Sequence, residues 1–216
     1  TVLVRLTADD GTTGLGEIGD GHFIPEAAES LGVFCARMLG ALSVFDTNLL
    51  YDRLYKAGHY WGRRGLAVSV AGGIETACWD IQGKLLGQPV YRLLGGAYRR
   101  RIRTYASGGM EQTDAALAGE LKRHVEYGFT AVKVRGGYPD PARDEHVMAV
   151  AREAVGDTID VAIDAGQGYV PRPWTIKQAL DIVRRLAPYR PMWLEEPVRT
   201  DDLAGYAEVR AAAEFP

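Results

Sequence analysis

The stretch Gly128-Phe129-Thr130-Ala131-Val132-Lys133-Val134-Arg135-Gly136-Gly137 decides the fold. Its centre, 131–135, is a short run of small, β-branched and charged residues stopped by two glycines, the pattern of a strand that ends in a loop. Helix-length amphipathic segments flank it at 114–127 and 141–155. The unit recurs, with strands expected at 102–107, 161–164 and 192–194 and helices at 175–187 and 201–213. Strict alternation of short apolar strands with helices is the signature of a parallel sheet made of βαβ units, buried on both faces. Two windings fit this pattern: a (β/α) barrel of TIM type, or an open doubly wound sheet. Four parallel strands do not close a barrel, so the barrel reading requires about four more units beyond Pro216.

Towards the N-terminus the texture differs. Short strands at 2–8 and 15–18 are joined by the turn-rich Asp9-Asp10-Gly11-Thr12-Thr13-Gly14, which reads as a hairpin. Helical patterns follow at 25–39, 46–56 and 66–86, the last stopping at Gly87 with Pro89 beyond it. Strands first and helices after describe an α+β module over 1–97, followed by an α/β segment over 98–216. The chain opens mid-strand on Val2-Leu3-Val4-Arg5-Leu6 and closes on Glu214-Phe215-Pro216 just after a helical pattern, so the expectation is a piece of a longer protein.

Composition narrows the function class. In 216 residues, 25 Lys and Arg against 28 Asp and Glu leave a net charge of −3, and 47% of residues are hydrophobic, as in an ordinary globular protein. The one basic cluster, Arg99-Arg100-Arg101 with Arg103, reads as a solvated linker rather than a nucleic-acid surface. The longest uncharged stretch, 65–74, falls far short of the roughly 18 apolar residues that a membrane span needs. Cys35 and Cys78 sit in apolar helical contexts, which favours two buried thiols over a bridge. With no basic-then-apolar leader legible, the expectation is a cytoplasmic protein with neither nucleic acid nor membrane as partner.

In parallel α/β folds functional groups gather at the carboxyl ends of strands. Lys133 and Arg135 are two apart, hence on one face of their strand. The next strand ends Ile163-Asp164-Ala165-Gly166-Gln167, and the one after it Leu194-Glu195-Glu196-Pro197. Lys133 to Asp164 is 31 positions, and Asp164 to Glu195 is again 31. Singly, such charges read as solvated strand ends or helix caps. Together, two cations and two carboxylates on three adjacent strand ends converge above one sheet, where carboxylates around a divalent cation offset each other's burial. Oxygen ligands favour a hard ion such as Mg²⁺ over zinc, and no Cys or His cluster with zinc spacing is present.

These residues resemble the enolase superfamily, and within it the mandelate racemase and muconate-lactonizing group. The likeness runs through Val4-Arg5-Leu6 and Asp10-Gly11-Thr12-Thr13-Gly14-Leu15-Gly16-Glu17, then Ala71-Gly72-Gly73-Ile74-Glu75-Thr76-Ala77-Cys78-Trp79-Asp80 and Gly87-Gln88-Pro89-Val90-Tyr91-Arg92-Leu93-Leu94-Gly95-Gly96. It continues through the Lys133 and Asp164 strand ends to Trp193-Leu194-Glu195-Glu196-Pro197. The resemblance implies an α+β capping domain lacking its first strand, then the N-terminal half of a modified TIM-type barrel. It implies Asp164 and Glu195 as Mg²⁺ ligands, with a third carboxylate at the next strand end and a His with an Asp partner later. It implies that Lys133 faces the substrate carboxylate, and that the enzyme removes a proton from the carbon beside that carboxylate, a step this superfamily runs with a Lys or His base and Mg²⁺.

Two departures shape the reading. Many members carry a second Lys where this chain has Arg135; guanidinium stays protonated, so Arg135 suits an electrostatic clamp better than a base. The base is then Lys133, with a pKa lowered by nearby cations, or a His from the absent half. Gly166 stands where an Asn is common, and Gln167 is the candidate to replace its substrate contact. Two loops of the capping module, Gly19-Asp20-Gly21-His22-Phe23-Ile24 and Gly58-His59-Tyr60-Trp61-Gly62-Arg63-Arg64, offer His22, His59 and Arg63 as substrate contacts suited to a polyhydroxylated acid. His124 and His146 fall within helical patterns and read as structural. The expected activity is Mg²⁺-dependent dehydration of a sugar acid to a 2-keto-3-deoxy acid, by a lyase that assembles as a homo-oligomer. The alternatives are a racemase, epimerase or lactone cycloisomerase on the same enediolate intermediate, and a non-catalytic sugar-acid-binding or scaffold homologue.

Overall fold

A computed structural model of the chain describes residues 1–40, 42–60, 62–110 and 113–216. They divide into two compact units, Thr1–Arg100 and Arg101–Pro216.

In the first unit β1 (Val2–Thr7) and β2 (Thr13–Ile18) pair antiparallel, from Val2 opposite Ile18 to Thr7 opposite Thr13. Asp10 ties the turn, accepting from the Thr12 N–H at 2.9 Å and its hydroxyl at 3.0 Å, and these bonds hold its carboxyl below the usual range. Three helices follow, α1 (Pro25–Leu39), α2 (Thr47–Ala57) and α3 (Leu66–Leu86), then a short α4 (Val90–Leu93). α3 lies directly on β2 because Gly14 and Gly16 carry no side chain there: a Cβ at either would strike the carbonyl oxygen of Ala77 or Gly73. The apolar face of α3, with Val70, Ile74 and Cys78, closes the core against Ile18, Leu50, Leu54 and Cys35. Both cysteines are buried free thiols.

The second unit alternates β3 (Ala106–Ser107), α5 (Asp114–Glu126), β4 (Ala131–Arg135), α6 (Pro141–Val155), β5 (Asp160–Asp164), α7 (Ile176–Leu186), β6 (Leu194–Glu195) and α8 (Leu203–Ala212). Each helix starts on a side-chain cap, from Thr113, Asp140, Thr175 and Asp202 respectively. The strands are parallel in the order β3-β4-β5-β6. Order in space equals order in the chain, with no reversal point, so the winding is that of a barrel and not of a doubly wound sheet. Val132, Val134, Val161 and Ile163 pack against the helices through Leu121, Met148, Ile182 and Leu186. Alternation then sends Lys133, Arg135 and Asp164 to the opposite face, the barrel interior. The fold is an α+β domain followed by part of a TIM-type barrel.

The two outer strands of this sheet are shorter than their sequence suggests. Residues 102–105 were expected to be strand but lie outside the ladder, where Arg103 bonds the Asp160 carboxylate at 2.6 Å and the Thr130 carbonyl at 2.9 Å. Met192 gives its N–H to Val161 at 2.8 Å, yet the β6 ladder is confined to Leu194–Glu195 rather than 192–194. β-propensity describes a single strand and does not set how far its ladder runs. Among the described residues no helix is long and apolar enough to cross a membrane.

Candidate active site

The β4–β5 and β5–β6 registers set Arg135 beside Asp164 and Asp164 beside Glu195, so these three residues form one row across adjacent strand ends. Lys133 lies two residues lower, in register with Ala162. The equal 31-residue spacings therefore do not mark one level; the length of the lysine side chain closes the gap. Its Nζ donates to Asp164 Oδ2 at 3.1 Å and to Glu195 Oε2 and Oε1 at 3.0 and 3.2 Å. Arg135 donates to the same Asp164 Oδ2, and the Gly166 N–H holds Oδ1 at 3.0 Å.

Lys133 and Asp164 are 8% and 4% exposed, which makes each charge dependent on the other. Burial pulls the Lys133 ammonium towards its neutral form, but the hydrogen bonds and charges of Glu195 and Asp164 outweigh it and hold its pKa above the ordinary value. The groups touching Nζ are carboxylates. Two aromatic residues not singled out from the sequence complete the surroundings. Trp193 donates from Nε1 to Glu195 Oε2 at 3.1 Å, and the Tyr105 ring lies 5.7 Å from Lys133 Nζ and edge-on to Trp193. Trp193 was legible in principle, since it stands two residues before Glu195 and so shares its face.

Two carboxylates from neighbouring strands converge on one cationic atom, and every acceptor at that point is a carboxylate oxygen. The set fits a hard divalent cation in kind and brings Asp164 and Glu195 as ligands. No group of three or more His, Cys, Asp or Glu able to hold a metal occurs among the described residues.

The remaining candidates behave differently. Gln167 is 1% exposed, with its amide engaged by backbone: Nε2 donates to Ala165 O at 2.8 Å and Gly137 O at 3.3 Å, and Oε1 accepts from Trp174 N at 2.7 Å. It faces no open space in which to take the place of an Asn beside a substrate. His22, His59 and Arg63 belong to the first unit. His22 Nδ1 lies 2.7 Å from Gly19 O, and His59 Nδ1 lies 2.9 Å from the Arg63 guanidinium, which covers the Tyr55 ring at 4.9 Å. Trp61 of the same loop lies outside the described residues. His146 bonds Asp114 at 2.8 Å, and His124 packs on Phe129 beside Glu120.

Comparison with known proteins bears on both units. Residues 1–95 match the family model for the N-terminal domain of mandelate racemase and muconate lactonizing enzyme, and residues 116–216 match that described as enolase C-terminal domain-like. The arabinonate dehydratase of Saccharolobus solfataricus is 37% identical over 222 residues, covering all of this chain and 57% of the relative. The D-galactarolactone cycloisomerase of Agrobacterium fabrum is 34% identical over 220 residues, covering all of this chain and 56% of the relative. A solved racemase from Streptomyces coelicolor A3(2) with bound magnesium superposes with a TM-score of 0.88 at 30% identity, over 99% of this chain and 63% of that one. The chain thus spans little more than half the length of the curated relatives named here.

Proposed function

The chain belongs to the enolase superfamily, in its mandelate racemase and muconate lactonizing group, and from that premise we propose that the whole protein abstracts the proton beside the carboxylate of a sugar acid and eliminates the β-hydroxyl to give a 2-keto-3-deoxy acid. The observation that carries this reading is the convergence of Lys133 and Arg135 with Asp164 and Glu195 on one interior spot. Asp164 and Glu195 are the residues that would hold Mg²⁺. A magnesium ion bound there would supply the positive charge that steadies negative charge developing on the substrate carboxylate.

The chain's own residues supply the rest. Lys133, which is buried, and Arg135, whose side chain is 35% exposed, offer two cationic groups to the acid and orient it. Arg135 holds its protons at any working pH, so it anchors and does not accept the α-proton. One clamp of this kind fits elimination in one direction better than a symmetric two-base racemisation. Lactone cycloisomerisation is the second reading, favoured by the 34% identical relative of that name.

The test is the whole protein with Mg²⁺ and a panel of sugar acids and lactones in D₂O. Keto acid formation is the expected result. Deuterium at the α-carbon or an epimer without keto acid would shift the reading to racemisation, and lactone isomerisation to the second reading. Binding without exchange or turnover would identify a non-catalytic homologue.

A further inference from the structure

We infer that Gln167 and Asp144, with Trp174, are positioning residues that clasp the loops after β4 and β5 together and so keep Arg135 and Asp164 in one row. The inference rests on reading that row as the active site. Five backbone groups of the first three residues after Arg135, in the loop 136–140, are bonded. Gly136 N donates to Asp164 O at 2.9 Å. Gly137 N and Tyr138 N donate to the two carboxylate oxygens of Asp144, at 2.5 and 3.1 Å. Gly137 O accepts from Gln167 Nε2, and Tyr138 O accepts from Trp174 Nε1 at 2.9 Å. Gln167 Oε1 then ties Trp174 N, which closes the circuit.

Burial shows what the arrangement is for. Asp144 is 0%, Gln167 1% and Trp174 6% exposed. A buried carboxylate and a buried amide are costly where packing alone is needed, and leucine or methionine would fill the same volume at less cost. Both side chains are instead matched to backbone groups of loops that have no ladder of their own. Gly137 at φ +87° lets the two loops touch, since a Cβ there would strike Ala165 O and the Gln167 amide. A loop held at this many points keeps the strand ends it joins within the fraction of an ångström that a preorganised site requires.

The test compares Gln167→Met and Asp144→Asn with wild type in the whole protein. Asp144→Asn keeps one acceptor oxygen and serves where Gln167→Met does not fold. Three quantities are read: amide exchange at 136–138, Mg²⁺ affinity by titration calorimetry, and kcat and KM per folded site. Expected are lost protection of that loop and a fall in kcat of about tenfold or more, with KM within about threefold. Mg²⁺ binding should weaken several-fold through Asp164. A role in packing alone would lower the folded fraction and leave kcat per folded site unchanged, and that outcome overturns the inference. Should wild type turn over no sugar acid, the proposed activity fails by itself. The clasp is then judged on exchange and Mg²⁺ affinity, and unchanged values for both refute it.

Discussion

Arg135 and Asp164 are register partners across the β4–β5 ladder and are joined by a hydrogen-bonded ion pair, while Lys133 reaches the same carboxylate from two residues lower on β4. Asp164 is therefore the common partner of both cations, and Glu195 is the second partner of Lys133.

Replacing that common partner leaves two cations facing one carboxylate in a largely buried setting. Asp164→Asn should abolish turnover and Mg²⁺ binding, and should destabilise the second unit by about 1–3 kcal/mol, because Arg135 loses its carboxylate and Lys133 keeps only Glu195. Calorimetric Mg²⁺ titration and denaturant unfolding measure the two effects. Turnover at the wild-type rate would show that Asp164 holds no catalytic metal.

Arg135 separates clamp from base. Arg135→Lys keeps the charge but loses the planar fork, so KM for the acid should rise about tenfold with the direction of reaction unchanged. If the lysine variant instead gained racemase activity with undiminished affinity, position 135 would be a base site and the clamp reading would be wrong. Steady-state kinetics with both α-epimers tells these apart.

Asp144 gives a pH signature. Burial pushes its carboxyl up to about 6 from an ordinary 3.8, against the opposing pull of the Gly137 and Tyr138 N–H bonds. The folded state then takes up a proton below about 6 and the unfolded state only near 3.8, so this group's contribution to stability falls as pH rises through that window. Relative to Asp144→Asn, wild type should gain on the order of 2–3 kcal/mol as pH drops from 7 to 4. Parallel melts of the two proteins across that range measure it, and parallel curves would contradict the shift.

Arg152 on α6 has no part in the chemistry yet gathers four carbonyls, of Gly156, Ile159, Tyr189 and Arg190, at 2.9, 2.6, 3.1 and 3.4 Å. Arg152→Met should cost about 2–4 kcal/mol by stranding these acceptors, with kcat per folded site unchanged. Urea unfolding and active-site titration provide the measurement.

Much of this was open to reading from the chain itself. The alternation of strand and helix, the hairpin turn at Asp10 and Gly11, and the charged strand ends at Lys133, Asp164 and Glu195 follow from local chemistry. Periodicity and turn residues report on neighbours a few positions away. The lengths of β3 and β6 did not follow, because a ladder requires a partner strand and β-propensity describes one strand only.

What the sequence by itself determined was which residue types stand at the strand ends: two cations, two carboxylates, the glycines after β4 and β5, and Pro197 after β6. Register and burial decided the rest. Arg135, not Lys133, is level with Asp164, because the β4–β5 ladder is set by cores more than 20 residues apart in the chain. Lys133 meets the carboxylates of two neighbouring strands, Asp164 and Glu195, which lie 31 and 62 positions away in the chain. Gln167 bonds Gly137, Ala165 and Trp174, a role invisible without the fold that brings Gly137 and Gln167, 30 positions apart, into contact. A side chain's chemistry is local, but the groups that compete for it are chosen by tertiary packing, and that competition decides whether a polar residue serves the substrate or the scaffold.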